Sequence, residues 1–310
     1  MKKCAYLFPG QGAQYPGMGK DFAAAFAIAR ETFEEADEIL GIGLSKIIFE
    51  GPEEVLVQTK YSQLAIFVNS MAILRVIQQQ IPDLRPFVCA GLSLGEYSAL
   101  CASAKLSFAD TLRLVQKRAL LMQEACEKVP GTMAAVLGLE GSKVEEALKG
   151  IAGVWVANYN CPGQIVISGT KAGVEKGSQA LKDLGAKRVL PLSVSGAFHS
   201  GLMQIAQDGL APFILASSFQ ETKIRLVMNA PGDFVERDVQ KHLISQVTQS
   251  VRWEQGILAM EKEGAGLYLE IGCGKTLSGM NRKIGVSGLT LSIEKVADLE
   301  VLGDVKCSCC

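Results

Sequence analysis

Pro86-Phe87-Val88-Cys89-Ala90-Gly91-Leu92-Ser93-Leu94-Gly95-Glu96-Tyr97 is the stretch on which the reading of the fold turns. The apolar run after Pro86 reads as a short buried strand, and Glu96 to Ser103 reads as a helix. Strand, tight turn and helix in that order form the unit of an α/β sheet. In that context Gly91-Leu92-Ser93-Leu94-Gly95 fits a nucleophile elbow, where glycines permit the strained turn that lifts a serine hydroxyl clear of the backbone. A helix that begins at the serine also aims free N–H groups and its positive dipole end at the place where an oxyanion would form. The N–H of Leu94 is the natural first donor.

Toward the N-terminus, Cys4-Ala5-Tyr6-Leu7-Phe8 is a second buried-strand pattern that runs into a loop, Pro9-Gly10-Gln11-Gly12-Ala13-Gln14. If this strand lies beside the elbow strand, the backbone at Gln11 can present a second N–H to the oxyanion position. Helical periodicity runs from Asp21, placed to cap, to Leu40, with Gly41 as the stop. Tyr61 to Gln80 is apolar on all sides, as a buried helix would be.

Toward the C-terminus the pattern changes between Thr132 and Val194 to strand 133–139, helix 142–150, strand 154–159, strand 164–168, helix 171–184 and strand 188–193. The order βαββαβ is that of a ferredoxin-like domain. It reads as a self-contained insertion, residues 131–195, bounded by Pro130-Gly131 and Ser195-Gly196. Further buried strands at Ile224–Met228 and Leu267–Ile271 return the chain to the first domain, which then comprises residues 1–130 and 196–310.

With 310 residues, the chain is too long for a disulfide-stapled scaffold, and its 48% hydrophobic and 20% charged residues are ordinary globular usage. A formal net charge of −1 supplies no global basic surplus for nucleic acid. The apolar run after Met1-Lys2-Lys3 stops at Pro9-Gly10, too soon for an export signal, and no window approaches the roughly eighteen apolar residues of a membrane helix. A soluble, cytoplasmic protein is expected, with no membrane partner. Six of the nine cysteines sit in apolar runs, which suits reduced core thiols. Cys307-Ser308-Cys309-Cys310 stands where a prenylation box would, but its middle residues are not aliphatic.

A serine needs a base, and the chain has two histidines. His242 lies in an amphipathic helical pattern and reads as a surface histidine. His199, in Gly196-Ala197-Phe198-His199-Ser200-Gly201, stands where the insertion returns to the main domain and is the favoured base. Two nucleotide-like motifs are set aside: Tyr15 stands where a dinucleotide fingerprint needs its third glycine, and Leu269 where a P-loop ending in Gly274-Lys275-Thr276 needs its first.

Taken together, Phe8–Gln14, Gly91–Tyr97, Asn158-Tyr159-Asn160-Cys161-Pro162-Gly163-Gln164, Gly196–Ser200 and Glu270-Ile271-Gly272-Cys273-Gly274-Lys275 resemble malonyl-CoA:acyl carrier protein transacylases, in order and over nearly the whole chain. The resemblance implies an α/β-hydrolase-like large subdomain with a ferredoxin-like insertion, and a monomer. It implies transfer of malonyl from coenzyme A to the phosphopantetheine thiol of acyl carrier protein, without metal or redox cofactor, for fatty acid synthesis. By motif, Ser93 would be the nucleophile, His199 its base, and the N–H groups of Gln11 and Leu94 the oxyanion hole.

The family's malonate-binding arginine maps to Arg118, and a planar guanidinium suits a carboxylate; Arg113 and Lys117 are the alternatives. The main-chain carbonyl that orients the histidine maps to Arg252, in Ser250-Val251-Arg252-Trp253. Two positions depart from the family: Ser250 stands for a usual proline and Leu92 for a frequent histidine. The rivals are a serine hydrolase, either a Ser-His-acid esterase or a patatin-like Ser-Asp dyad using Asp208, and a non-catalytic module that binds carrier protein.

Overall fold

The computed structural model describes residues 3–194 and 196–303. Met1, Lys2, the expected boundary residue Ser195 and the Cys307–Cys310 tail lie outside the described residues. In chain order the strands are β1 (Lys3–Phe8), β2 (Pro86–Gly91), β3 (Thr132–Leu137), β4 (Val154–Cys161), β5 (Gln164–Gly169), β6 (Arg188–Pro191), β7 (Arg225–Met228), β8 (Asp233–Val235), β9 (Val251–Arg252), β10 (Ala265–Ile271) and β11 (Leu289–Ile293). They form two sheets in a mixed α/β architecture.

The first sheet runs in the order β11-β10-β1-β2-β7-β8 and is parallel except for the last pair. Residues of β1 and β2 are buried almost throughout, as the uninterrupted apolar runs require of strands covered on both faces. β1 and β2 are neighbours, so the Gln11 loop and the elbow leave the carboxyl ends of adjacent strands. The Leu92 N–H donates to the Phe8 carbonyl at 3.0 Å and continues the ladder into the turn. Sites in open α/β sheets lie outside such strand ends.

One side of the sheet is covered by the helix Thr59–Gln80, whose residues from Ser62 to Leu74 are all buried. It packs against the helices Ala27–Leu40 and Phe108–Lys128. The single helix read from Asp21 to Leu40 is two, Lys20–Ala25 and Ala27–Leu40, because Phe26 is extended at φ −128°. Apolar spacing is continuous across that break, so periodicity does not register it. Gly19, not Asp21, occupies the cap position, and the Asp21 carboxylate accepts the Val296 N–H at 2.8 Å. Gly41 does terminate the second helix.

The second sheet runs β6-β3-β5-β4-β9. Its first four strands, with the helices Gly141–Leu148 and Lys171–Asp183, carry the expected βαββαβ order, each boundary within two residues of the reading. The unit is less self-contained than the sequence suggests. β9, contributed by residues far downstream, pairs in parallel with β4 through Asn158–Val251 and Tyr159–Arg252. A two-residue strand has too short a pattern to be read from sequence.

Where the elbow helix Gly95–Ala102 crosses β1, a Cβ on Gly95 would run into the Phe8 carbonyl, and one on Gly91 into the Gly95 backbone. Neither neighbour is a flexible side chain that could move aside. Gly95→Ala should therefore cost at least about 1–3 kcal/mol, as forced overpacking does. Gly279→Ala, where a Cβ meets open space, should be neutral or slightly stabilising. Urea unfolding midpoints of the two variants test the difference.

Candidate active site

At the elbow Ser93 has φ 53°, in the left-handed region that serine rarely adopts. Its strain is held by an amide clamp: Asn229, just past β7, accepts the Ser93 N–H on Oδ1 at 2.7 Å and donates from Nδ2 to the Gly91 carbonyl at 2.8 Å. The Ser93 Oγ lies 2.8 Å from His199 Nε2, and His199 Nδ1 lies 2.8 Å from the Gln246 carbonyl. A carbonyl only accepts, so Nδ1 carries the proton and Nε2 offers its lone pair to the serine hydroxyl. That is the tautomer a general base needs. His199 is itself left-handed, at φ 56°.

Burial is the larger cause, and the Arg118 charge the second, of a His199 pKa held down at about 4; the carbonyls of Gln246 and Gln249 oppose this. The imidazole is consequently neutral across the physiological range.

Arg118 projects from the helix Phe108–Lys128 and is 1% exposed. Its Nη1 donates to Gln63 Oε1 at 2.6 Å, and its Nη2 to Ser93 Oγ at 3.1 Å and Gln246 Oε1 at 3.0 Å. Among the described residues no carboxylate comes within 4.0 Å of it, and the groups that accept its hydrogen bonds are neutral. The alternatives lie elsewhere. Arg113 is exposed and pairs with Asp110 at 3.8 Å, and Lys117 lies over the Phe213 ring.

A cavity of about 710 Å³ opens onto these groups, lined among others by Gln11, Ser93, Arg118, Asn158, Asn160 and His199. Its size falls in the range of small-molecule sites. The two asparagines come from β4, so the cavity lies between the two sheets. Leu94 caps the elbow helix. Among the described residues neither the Leu94 N–H nor the Gln11 N–H has a hydrogen-bond partner within the protein.

The structure thus gathers Ser93, His199, Arg118, Gln11 and Leu94 in one place. It corrects the sixth expectation, because the carbonyl on His199 Nδ1 belongs to Gln246 and not to Arg252. Arg252 is committed to β9. Its N–H donates to the Asn229 carbonyl at 2.9 Å and its guanidinium lies 5.1 Å from the Tyr159 ring centroid. Gln246, tucked in fully buried after the helix Val239–Ser245, is where the chain reaches the imidazole. His242 is half-buried in that helix and takes no part.

The requirements of the two hydrolase rivals are not met in this geometry. Asp208 is exposed on a helix and accepts from Gln204, and the third member behind His199 is a carbonyl rather than an acid. At the P-loop-like Gly274-Lys275-Thr276 the start of the following helix is already occupied by an anionic group of the protein itself. The N–H groups of Leu277 and Ser278 are already taken, at 2.9 Å each, by the buried carboxylate of Glu270.

Residues 5–272 match the model of the acyl transferase domain. The chain is 40% identical over 307 residues to the malonyl CoA-acyl carrier protein transacylase of Bacillus subtilis (strain 168), with 97% of this chain and 96% of that one covered. It belongs to the malonyl CoA-acyl carrier protein transacylase family. The crystal structure of the Clostridium perfringens transacylase matches with a TM-score of 0.93 at 37% identity, over 98% of this chain and 97% of that one. A malonyl-transacylase solved in complex with a type II polyketide acyl-carrier protein matches with a TM-score of 0.92 at 37% identity, over 96% and 98%.

Four transacylase residues around the site escaped the sequence reading: Gln63, Glu96, Asn229 and Gln246. Three are neutral amides, which no charge pattern or nucleophile motif marks. Only Glu96, inside the quoted elbow, was in view. The described residues contain no helix long and apolar enough to cross a membrane.

A base with its pKa near 4 sets a pH expectation. A general base acts only when neutral, and the His199 pKa lies below the ordinary histidine value, so with His199 in that role kcat/KM should stay level as pH falls through about 6.5 and decline only toward about 4. A pH profile with its acid limb near 6.5 would show an unshifted base.

Proposed function

We propose that this chain moves malonyl from malonyl-CoA to the phosphopantetheine thiol of acyl carrier protein, by a ping-pong route through a malonyl-Ser93 ester, in fatty acid synthesis. The observation that carries the reading is a buried guanidinium 3.1 Å from the nucleophilic oxygen, with no carboxylate in direct contact with it among the described residues. Malonyl differs from acetyl by one carboxylate, and that carboxylate is what such a guanidinium recognises. The names of the relatives, and the carrier-protein complex among them, support the same donor and acceptor. Acting on those two soluble partners, the enzyme would work in the cytoplasm.

In the first half-reaction His199 Nε2 takes the proton of Ser93 as Oγ attacks the thioester carbonyl. Leu94 and Gln11 N–H groups receive the oxyanion, and the imidazolium returns the proton to the leaving CoA sulfur. In the second, the neutral imidazole takes the proton of the carrier-protein thiol, whose sulfur attacks the ester, and Ser93 leaves with that proton. The Gln246 carbonyl keeps the ring in its tautomer throughout, so a dyad serves without a carboxylate. Arg118 holds the malonyl carboxylate through both halves.

In this reading residues 1–130 and 196–310 form an α/β-hydrolase-like subdomain, and 131–195 a ferredoxin-like insertion. The parallel sheet with its elbow after β2, and the order β6-β3-β5-β4, support that division. The cavity between the sheets then lies at the subdomain boundary.

Intact-mass spectrometry after mixing with malonyl-CoA should show one malonyl adduct, absent in Ser93→Ala. His199→Ala should slow transfer by roughly 100- to 10,000-fold, the usual loss for a general base.

Arg118→Ala strands the incoming anion, at a cost of about 3–5 kcal/mol. The ratio of kcat/KM for malonyl-CoA over acetyl-CoA should therefore fall by a factor on the order of hundreds or more. An unchanged ratio would place carboxylate recognition elsewhere.

A further inference from the structure

Beneath the nucleophile lies a carboxylate that no step above uses. Glu96, in the first turn of the elbow helix, is 1% exposed. Its Oε1 accepts the Asn229 N–H at 2.6 Å and its Oε2 accepts from Gln246 Nε2 at 2.8 Å. At its other end the same Gln246 amide accepts from Arg118, while its Nε2 also donates to the Ser93 carbonyl at 2.7 Å. The direction of this amide is fixed chemically, because a guanidinium only donates and a carbonyl only accepts. Glu96 and Arg118 are therefore the two ionisable ends of one buried relay, joined through a neutral group.

The ionisable surroundings of Glu96 are few. Arg118 reaches it from the helix Phe108–Lys128, and Tyr97 adjoins it on its own helix. Asn229, from the β7 side, and Gln246 present only amides. His199 meets the relay through the Gln246 main chain and is neutral.

We propose that Glu96 balances charge when the pocket fills, taking up one proton as a malonyl carboxylate settles on Arg118. The proposal rests on the malonyl reading above. Above about pH 8, with the cavity empty, one cation and one carboxylate share a volume of low dielectric. A second carboxylate turns the pair into a triad of minus, plus, minus. One guanidinium cannot serve both anions at the strength that burial demands, and the acid without direct contact gives way.

The tendency is already built in. Burial pushes the Glu96 carboxyl up to about 8, against the lowering effects of the Asn229 and Gln246 hydrogen bonds and of the Arg118 charge. Malonate on Arg118 cancels the last of these, so the carboxyl rises further. The proton comes from solvent onto a lone pair of Glu96 and returns there once the malonyl group has left on the carrier thiol. No other bond changes. Below about pH 8 Glu96 already holds its proton, and filling the pocket leaves it unchanged.

Linkage sets the sign: where binding takes up a proton, it weakens as pH rises. In the wild type kcat/KM for malonyl-CoA should fall about tenfold per pH unit above about 8, whereas that for acetyl-CoA, which brings no carboxylate, should not. In Glu96→Gln the malonyl limb should vanish, whatever the absolute rate. A malonyl limb unchanged in Glu96→Gln, or equal for both donors in the wild type, overturns the proposal.

Should the variant fail to fold, a measurement on the wild type decides. In weakly buffered solution at about pH 8.5 a pH-indicating dye follows acylation by each donor; the released CoA thiol titrates near there, equally for both. Malonyl-CoA should consume about three-quarters of a proton more per acyl-enzyme than acetyl-CoA, since about a quarter of Glu96 is already protonated there, and no difference refutes the role of Glu96. If no malonyl-enzyme forms at all, the malonyl reading itself has failed. If it forms without the extra proton, only the inference about Glu96 has failed.

Discussion

Everything at this site depends on backbones meeting with no side chain between them. The elbow helix touches the end of β1 through Gly95, and Gly91 lets the turn close on itself. That approach brings the loop after β1 to the same cavity as Ser93 and fixes Ser93 in a conformation it would not choose. The strain is maintained by the two-ended hold of Asn229 on the N–H of Ser93 and the carbonyl of Gly91. A serine exposed in this way needs only a neighbouring lone pair, and His199 supplies it.

The electrostatics follow from dryness. Burial keeps His199 neutral, which a base requires, and the same burial would penalise Arg118. The protein meets both demands with amides: Gln63 and Gln246 accept from the guanidinium, and the Gln246 main chain accepts from the imidazole. Neutral acceptors stabilise the cation without cancelling its charge, so its attraction for an incoming carboxylate is retained. A direct ion pair would have spent that attraction inside the protein.

The legible part of the molecule was the part written in apolar runs and glycines. The strand before Ser93, the all-round burial of the helix Thr59–Gln80 and the βαββαβ order were all read correctly, because burial on both faces leaves an uninterrupted apolar pattern. What escaped was short or neutral. A single extended residue at Phe26 split a helix, two residues made β9, and Gln246 took the place assigned to Arg252. The last error has a plain cause, since a main-chain carbonyl is available at every residue, and only the path of the chain decides which one meets the ring.

β9 ties two parts of the machine that could otherwise move apart. It docks on the edge of β4, reinforced by the Ser250 hydroxyl on the Val156 carbonyl at 2.6 Å, and it lies five residues beyond Gln246. The wall that carries Asn158 and Asn160 is therefore riveted to the segment that aligns the imidazole. A displacement of the β4 edge would be passed through β9 to that segment, so the width of the entrance and the aim of the imidazole are mechanically linked through this pairing. A substrate that wedges the entrance wide would be felt at the histidine, and one that lets it settle would find the ring in line.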